Sequence, residues 1–131
     1  MTMRLSICLT AALAFCAYSG QSGAKPAPAA KAAFQLNETT WTYTDKGVKV
    51  RESIDADGNY IENALSGKHV DHGTAVMKDG KACFTSAMTE EGEMCWTTSP
   101  VEIGHSMNTV SDKGDKLKVT RVKYVPMSMQ K

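Results

Sequence analysis

The sequence predicts an all-β protein, a small antiparallel meander of about eight strands that closes as an up-and-down barrel. Turn signals containing glycine recur through residues 45–115, and Thr, Val, Tyr, Trp and Ile are frequent in the segments between them. Apolar and polar residues alternate along those segments, and no window of residues 37–127 shows an apolar stripe of helical period. A two-sheet sandwich is the alternative architecture that buries one face of short strands.

The turn signals divide the chain into successive strands. Asp79-Gly80 and similar pairs favour the positive φ angles that two-residue hairpins need. Ser99-Pro100, with Gly104 soon after, separates the sixth and seventh segments by a longer connection. The predicted strands are 39–45, 48–55, 59–65, 69–78, 81–88, 93–98, 105–111 and 116–125.

Alternation within the strands predicts which side chains face the core. Trp41 and Tyr43 share one face of the first strand, and Leu117 and Val119 share one face of the last. The apolar phase then shifts, which predicts a β-bulge near Thr120-Arg121. The predicted core comprises Trp41, Tyr43, Val48, Val50, Ile54, Ile61, Leu65, Val70, Val76, Phe84, Trp96, Val110, Leu117, Val119 and Val122.

The beginning of the chain has the pattern of a secretory signal. Arg4 precedes an apolar run from Leu5 to Ala17, and small residues follow it. The run of about 13 residues is too short to cross a bilayer as a helix, so we expect no transmembrane segment after signal cleavage. The predicted location is the periplasm or the medium. The predicted organisation is a signal peptide over 1–23, an Ala/Pro-rich linker over 24–36, a barrel domain over 37–127 and a C-terminal tail over 128–131.

A lipid tether is an alternative outcome of export. Leu13-Ala-Phe-Cys16 resembles the lipobox of bacterial lipoproteins, which would make Cys16 the lipidated residue. Phe15 departs from that pattern, because a small residue normally precedes the cysteine. A lipidated chain would be held at a membrane surface through the extended Ala/Pro linker.

Two cysteines remain after the signal is removed. Cys83 and Cys95 form a lone pair in an oxidising compartment, which predicts a disulfide. The chain has 15 Lys and Arg against 14 Asp and Glu, and loss of Arg4 makes the numbers equal. A domain without net positive charge argues against a nucleic-acid partner.

Two groups of residues could bind a metal ion. His69 and Asp71 are expected on the same side of one strand, and His105 could add a third ligand for zinc. His105-Ser-Met107 also places an imidazole and a thioether two residues apart, which suits Cu(I) and resembles the residue types of small periplasmic copper chaperones. A polar surface pair and a methionine that fills the core explain the same residues without a cofactor.

Several short stretches match a known kind of protein. They are Thr40-Trp-Thr-Tyr43, Asp57-Gly-Asn-Tyr60, Asp71-His-Gly73, Lys78-Asp-Gly-Lys-Ala-Cys83 and Cys95-Trp96. Through them, the segment from Trp41 to Val125 resembles a set of small exported proteins of Gram-negative bacteria that have no assigned activity. The resemblance implies a periplasmic or cell-surface β domain and no mechanism. Bacterial inhibitors of secreted proteases share the plan of an eight-stranded barrel with one disulfide and a leading segment.

The motifs favour binding over catalysis. Gly104-His-Ser106 resembles the start of a nucleophile elbow, but Asn108 stands where the second glycine belongs. We therefore expect a non-catalytic binding module for an envelope ligand or protein whose identity the sequence does not reveal. The alternatives are a periplasmic copper- or zinc-binding protein and an inhibitor of a secreted hydrolase.

Overall fold

The computed structural model describes residues 34–129, which form eight antiparallel strands in a meander. The Lys46-Gly47 and Asp79-Gly80 turns have positive φ at both central residues, the geometry whose twist matches that of paired strands. Each of the eight strands predicted from the sequence is present. They are β1 (Thr39–Asp45), β2 (Val48–Ile54), β3 (Asn59–Ala64), β4 (His69–Lys78), β5 (Lys81–Ser86), β6 (Glu93–Thr97), β7 (Ser106–Val110) and β8 (Lys116–Val122).

The sheet curls until its two edge strands meet. The strand order is β6-β5-β4-β3-β2-β1-β8-β7, so β6 and β7 are the edges. Trp96 and Ser111 form a β-bridge between them, and the Asp112 amide donates to the Cys95 carbonyl at 2.9 Å. An ion pair of 2.9 Å between Lys81 and Asp112 lies beside this bridge. The result is a nearly closed barrel, which confirms the predicted all-β up-and-down architecture over the sandwich.

The predicted disulfide is present. Cys83 on β5 and Cys95 on β6 stand directly opposite each other and are joined through their sulfurs. Their neighbours Ala82 and Phe84 line the barrel interior, so alternation puts the disulfide on the outer face. It therefore ties edge strand β6 to the rest of the sheet.

The residues just before β1 belong to the core and not to the linker predicted over 24–36. Leu36 is only 3 % exposed, and Phe34 packs edge-on against Trp41 with ring centroids 6.2 Å apart. The Arg121 guanidinium lies 5.9 Å from the Phe34 ring centroid. The predicted signal peptide, most of the linker and Cys16 lie outside the described residues. Between residues 34 and 129 there is no helix with the length and apolar character needed to span a membrane.

Strand β8 is itself regular, so the phase shift near Thr120-Arg121 does not mark a bulge in β8. The irregularity lies opposite it, where the Arg121 carbonyl accepts from the Gly104 amide and the Arg121 amide donates to the His105 carbonyl. Thr120 pairs with Ser106 and Arg121 pairs with Trp41 in unbroken register. Arg121 occupies the inward position after Val119, and its guanidinium donates to the Val101 carbonyl at 2.9 Å. A hydrogen-bonded arginine on the inner face therefore accounts for the apparent shift of apolar phase.

The core prediction is partly wrong because several strands carry apolar residues on both faces. Trp41, Val50, Ile54 and Val119 are buried as expected. Five predicted core residues are 38–52 % exposed: Leu65, Val70, Val76 and Val110 on the outside, and Val48 at the end of β2, on the same face as Val50. The buried hydrophobic residues that the prediction missed are Leu36, Tyr60, Ala64, Ala75, Ala82 and Cys83.

The chain after β8 covers part of the outer surface. The Ser53 hydroxyl donates to the Val125 carbonyl at 2.7 Å, and the Val125 amide donates to the Thr40 hydroxyl at 2.9 Å. Further along, the Asn63 side-chain amide donates to the Ser128 carbonyl at 3.0 Å. These contacts bury outward-facing polar residues of β1–β3 and hold part of the predicted tail against the barrel.

Gly73 is a position where the fold excludes a side chain. It lies between Tyr60 on β3 and Ser86 on β5, and an added Cβ would stand 2.0 Å from the Thr85 carbonyl oxygen and 2.9 Å from the Tyr60 ring. We expect Gly73→Ala to lower the free energy of unfolding by about 3 kcal/mol in urea denaturation, because the obstructing atom belongs to the backbone. Thr74→Ala, on the exposed face, should change it by less than about 0.5 kcal/mol. Equal effects of the two substitutions would contradict the close packing at Gly73.

The disulfide should contribute to stability by constraining the unfolded chain. The bonded cysteines are 12 residues apart, a loop for which chain entropy predicts about 3 kcal/mol. A Cys83→Ala/Cys95→Ala double variant should lose this amount in urea denaturation, and reductant should then have no further effect on it. Two free thiols detected by mass spectrometry in protein from an oxidising compartment would contradict the bond.

Candidate functional site

The barrel interior contains the candidate site, a cavity of about 520 Å³. Inward positions of β1, β5, β6 and β8 supply most of its apolar wall. Eight strands are the number at which a barrel interior is just wide enough to hold side chains or one small ligand. The large apolar and aromatic side chains of the wall include Trp41, Tyr43, Phe84, Met94, Trp96 and Leu117.

The cavity extends to one end of the barrel. The turns β1–β2, β5–β6 and β7–β8 lie at the same end of an up-and-down meander, and residues of all three border the cavity. Their charged members have both signs: Asp45, Lys46, Glu91, Asp115 and Lys116. The mouth of the cavity is therefore a polar rim around an apolar interior.

A row of three carboxyl groups crosses one wall of the cavity. Glu52 on β2 stands opposite Glu62 on β3, and Glu62 stands opposite Asp71 on β4. All three side chains line the cavity. Side chains directly opposite in an antiparallel pair have Cβ atoms about 5 Å apart, where like charges destabilise the sheet. The row is therefore the least expected feature of the interior.

Asp71 is held by three hydrogen bonds. The Tyr60 hydroxyl donates to one oxygen at 2.8 Å, and the Ser86 hydroxyl and the His72 amide donate to the other at 2.6 and 2.9 Å. Burial and the hydrogen bond to Asp71 raise the pKa of Tyr60, so its phenol stays protonated and continues to donate. Asp71 is thus a fixed carboxylate at one end of the row.

Glu52, at the other end, has no such support. Glu52 is buried, with only 7 % of its surface exposed. Within residues 34–129, no amide, hydroxyl or cationic side chain donates a hydrogen bond to its carboxyl group, and the residue opposite it on β3 is Glu62, a second acid. Burial first, and then the Glu62 and Asp71 charges, raise the pKa of Glu52 well above its ordinary 4.5. Burial and the charges of Glu52 and Glu62 likewise raise the pKa of the Tyr43 phenol.

The expectation that His69 and Asp71 share one side of β4 is wrong. The register shifts between Glu62 and Asn63, so that Asp71 pairs with Glu62, His69 pairs with Asn63, and Val70 is an extra residue. This bulge turns Asp71 inward and leaves His69 on the outer face.

His69 instead belongs to an outer hydrogen-bonded chain. Its Nε2 lies 3.0 Å from Nδ1 of His72, and its Nδ1 lies 2.9 Å from the Asn63 amide oxygen. Asn63 in turn donates to Ser128. The two histidines therefore support the segment that follows β8.

The remaining predicted metal ligands lie elsewhere. His105 is exposed before β7, whereas Met107 faces the cavity and its sulfur accepts from the Ser99 amide at 3.4 Å. His69, Asp71 and His105 do not place three ligand atoms within 4.8 Å of one another.

One other group of residues is compact enough for a metal ion. Within residues 34–129, Cys83, Glu93 and Cys95 are the residues that place three ligand atoms that close together. The two sulfurs are bonded to each other, so neither is a thiolate ligand in the oxidised protein.

Comparison with protein-family models, curated proteins and solved structures found no match to this chain.

The carboxyl row was not predicted from the sequence, although the sequence contained a signal for part of it. Glu52 occupies the position between Val50 and Ile54 on the inward face of β2, where alternation requires an interior residue. Asp71 could not be found in this way, because its inward orientation depends on the bulge at Val70.

The raised pKa of Glu52 makes stability depend on pH. Glu52 holds its proton more tightly in the folded chain, so stability should fall as pH rises above 4.5 and towards the folded-state pKa. We expect Glu52→Gln to remove this loss, with a gain over the native protein that increases by up to about 1.4 kcal/mol per pH unit.

Denaturant midpoints measured at several pH values test this prediction. The control is Glu102→Gln, which neutralises an exposed glutamate and should leave the pH profile of stability unchanged. A Glu52→Gln profile parallel to that of the native protein would contradict the prediction, because it would show that Glu52 titrates normally.

Proposed function

We propose that this protein is an exported, non-catalytic binding protein that holds a small amphipathic molecule inside its barrel. The observation that carries the proposal is the cavity of about 520 Å³, which lies within the range of about 300–1,000 Å³ that is usual for small-molecule sites. Its wall combines aromatic faces with a few fixed polar groups, as ligand pockets do. Aromatic side chains bury large areas of a ligand, whereas the carboxyl groups would orient it.

Two features support a location outside the cytoplasm. The Cys83–Cys95 disulfide is of the kind that persists in oxidising compartments. Residues 1–23 have the charged start, apolar run and small residues of a secretory signal. The ligand would then be a molecule of the periplasm or the medium.

Binding inside the barrel can be tested with Nile red, an uncharged dye whose emission rises in apolar surroundings. The two tryptophans of the chain, Trp41 and Trp96, both line the cavity, so quenching of their fluorescence reports occupancy of the interior. We expect saturable dye emission together with tryptophan quenching. Saturation without quenching would place the dye on the outer surface and contradict the proposal.

A pair of variants on β5 separates the cavity from the surface. Ser86 lines the cavity, while its neighbour Thr85 is exposed on the other face. Ser86→Phe should fill the interior and weaken dye binding at least about tenfold, a loss of about 1.4 kcal/mol. Thr85→Phe adds the same ring outside and should bind as the native protein does. Equal affinities of two folded variants would argue against an internal site.

A further inference from the structure

Building on the proposed binding function, we propose that the cavity selects an organic cation whose ammonium group binds at the carboxyl row formed by Glu52, Glu62 and Asp71. The apolar part of the molecule would lie against the aromatic wall. Trp41, on the strand next to Glu52, lies directly opposite it in the β1–β2 register. A primary amine attached to an aryl or alkyl body has this chemistry.

The charge of the interior supports a cation. The three carboxyl groups of the row face the cavity from adjacent strands. Lys46 and Lys116, the two lysines that border the cavity, belong to the rim at the ends of β1 and β8. In the described part of the chain, the two ion pairs, Lys78–Glu93 and Lys81–Asp112, involve none of the row. Arg121, on the inner face of β8, donates to the Val101 carbonyl and does not line the cavity. Among the described residues, no cationic side chain therefore pairs with the row.

Glu52 is the strongest indication, because it is buried without a complementary partner. Its side chain lines the cavity and the residue is 7 % exposed. Within the described residues, no side chain makes a hydrogen bond to its carboxyl group, and the residue opposite it on β3 is Glu62, a second acid. No fully enclosed side-chain oxygen of the described residues lacks a partner, so the Glu52 oxygens are open to the cavity, where a bound group can reach them. An ammonium group supplies the opposite charge and N–H donors together.

The arrangement favours an organic cation over a metal ion. No choice of one oxygen from each of Glu52, Glu62 and Asp71 brings the three within 4.8 Å of one another, so the row is too extended to enclose a bare ion. Two phenols also line the cavity beside the row: Tyr60 donates to Asp71, and Tyr43 lies on β1, the strand next to that of Glu52. Aromatic rings beside carboxylates favour ammonium groups through cation–π attraction.

Three ligands of matched shape test the inference: phenethylamine, phenethyl alcohol and phenylacetate, which at neutral pH are cationic, neutral and anionic. Titration calorimetry measures their affinities, and quenching of Trp41 and Trp96 shows that binding occurs in the cavity. We expect the amine to bind at least about tenfold more tightly than the alcohol, the ratio for about 1.4 kcal/mol, with phenylacetate weakest. A charged hydrogen bond of ordinary strength supplies this difference.

Variants connect the preference to the row. Glu52→Gln keeps the shape of the side chain and should reduce the amine-to-alcohol preference at least about threefold, while a Glu52→Gln/Glu62→Gln double variant should abolish it. Glu102→Gln removes the same charge from an exposed position and should retain the full preference. An unchanged preference in the double variant would overturn the assignment of the ammonium group to this row.

The results separate the two proposals. Equal binding of amine and alcohol, with tryptophan quenching, would overturn the cation preference and leave the internal binding site standing. Tighter binding of phenylacetate than of the amine would also overturn the cation preference and leave the internal binding site standing. Binding of Nile red with no binding of the three small ligands would also overturn the cation inference alone. Failure of the dye and of all three ligands would overturn both.

Discussion

Closure of the sheet is the constraint on which the remaining features depend. Without the contact between β6 and β7, the inward residues would form one face of an open sheet, and the cavity would be a solvent-exposed surface. The closing contact is short. It includes the Trp96–Ser111 bridge, the Asp112–Cys95 hydrogen bond beside it, and hydrogen bonds from Thr109 and Val110 to Thr97. The disulfide anchors β6 at this point, so it stabilises the strand that completes the barrel as well as the chain as a whole.

Closure also sets the environment of the carboxyl row. In an open sheet, Glu52 and Glu62 would be hydrated, and their proximity would be of little consequence because water screens the two charges. Inside the barrel, they face apolar walls and each other, which raises the pKa of Glu52. The fold thus keeps a destabilising arrangement in its interior, an inconsistency between local and global preference that is characteristic of functional sites.

The positions of the strands were easier to predict from the sequence than the orientation of their side chains. Strand positions were predictable because Asp-Gly and Lys-Gly turns give a local signal, as Asp79-Gly80 illustrates with positive φ at both residues. It was harder to predict which residues of each strand face inward. In β4, Ala75 and Val76 are both apolar, yet the small residue faces inward and the larger one is 47 % exposed. Barrel curvature admits small residues where neighbouring strands come close, and that proximity is a non-local property.

The bulge at Val70 shows how one residue changes the interpretation of a motif. In a regular strand, His69 and Asp71 would point the same way and form half of a metal site. The extra residue instead sends Asp71 inward, where it completes the carboxyl row, and leaves His69 outside, where it supports the segment after β8 through Asn63. The bulge thereby couples the interior to the outer surface. One local irregularity in β4 determines both the acidic character of the cavity and the attachment of the C-terminal segment.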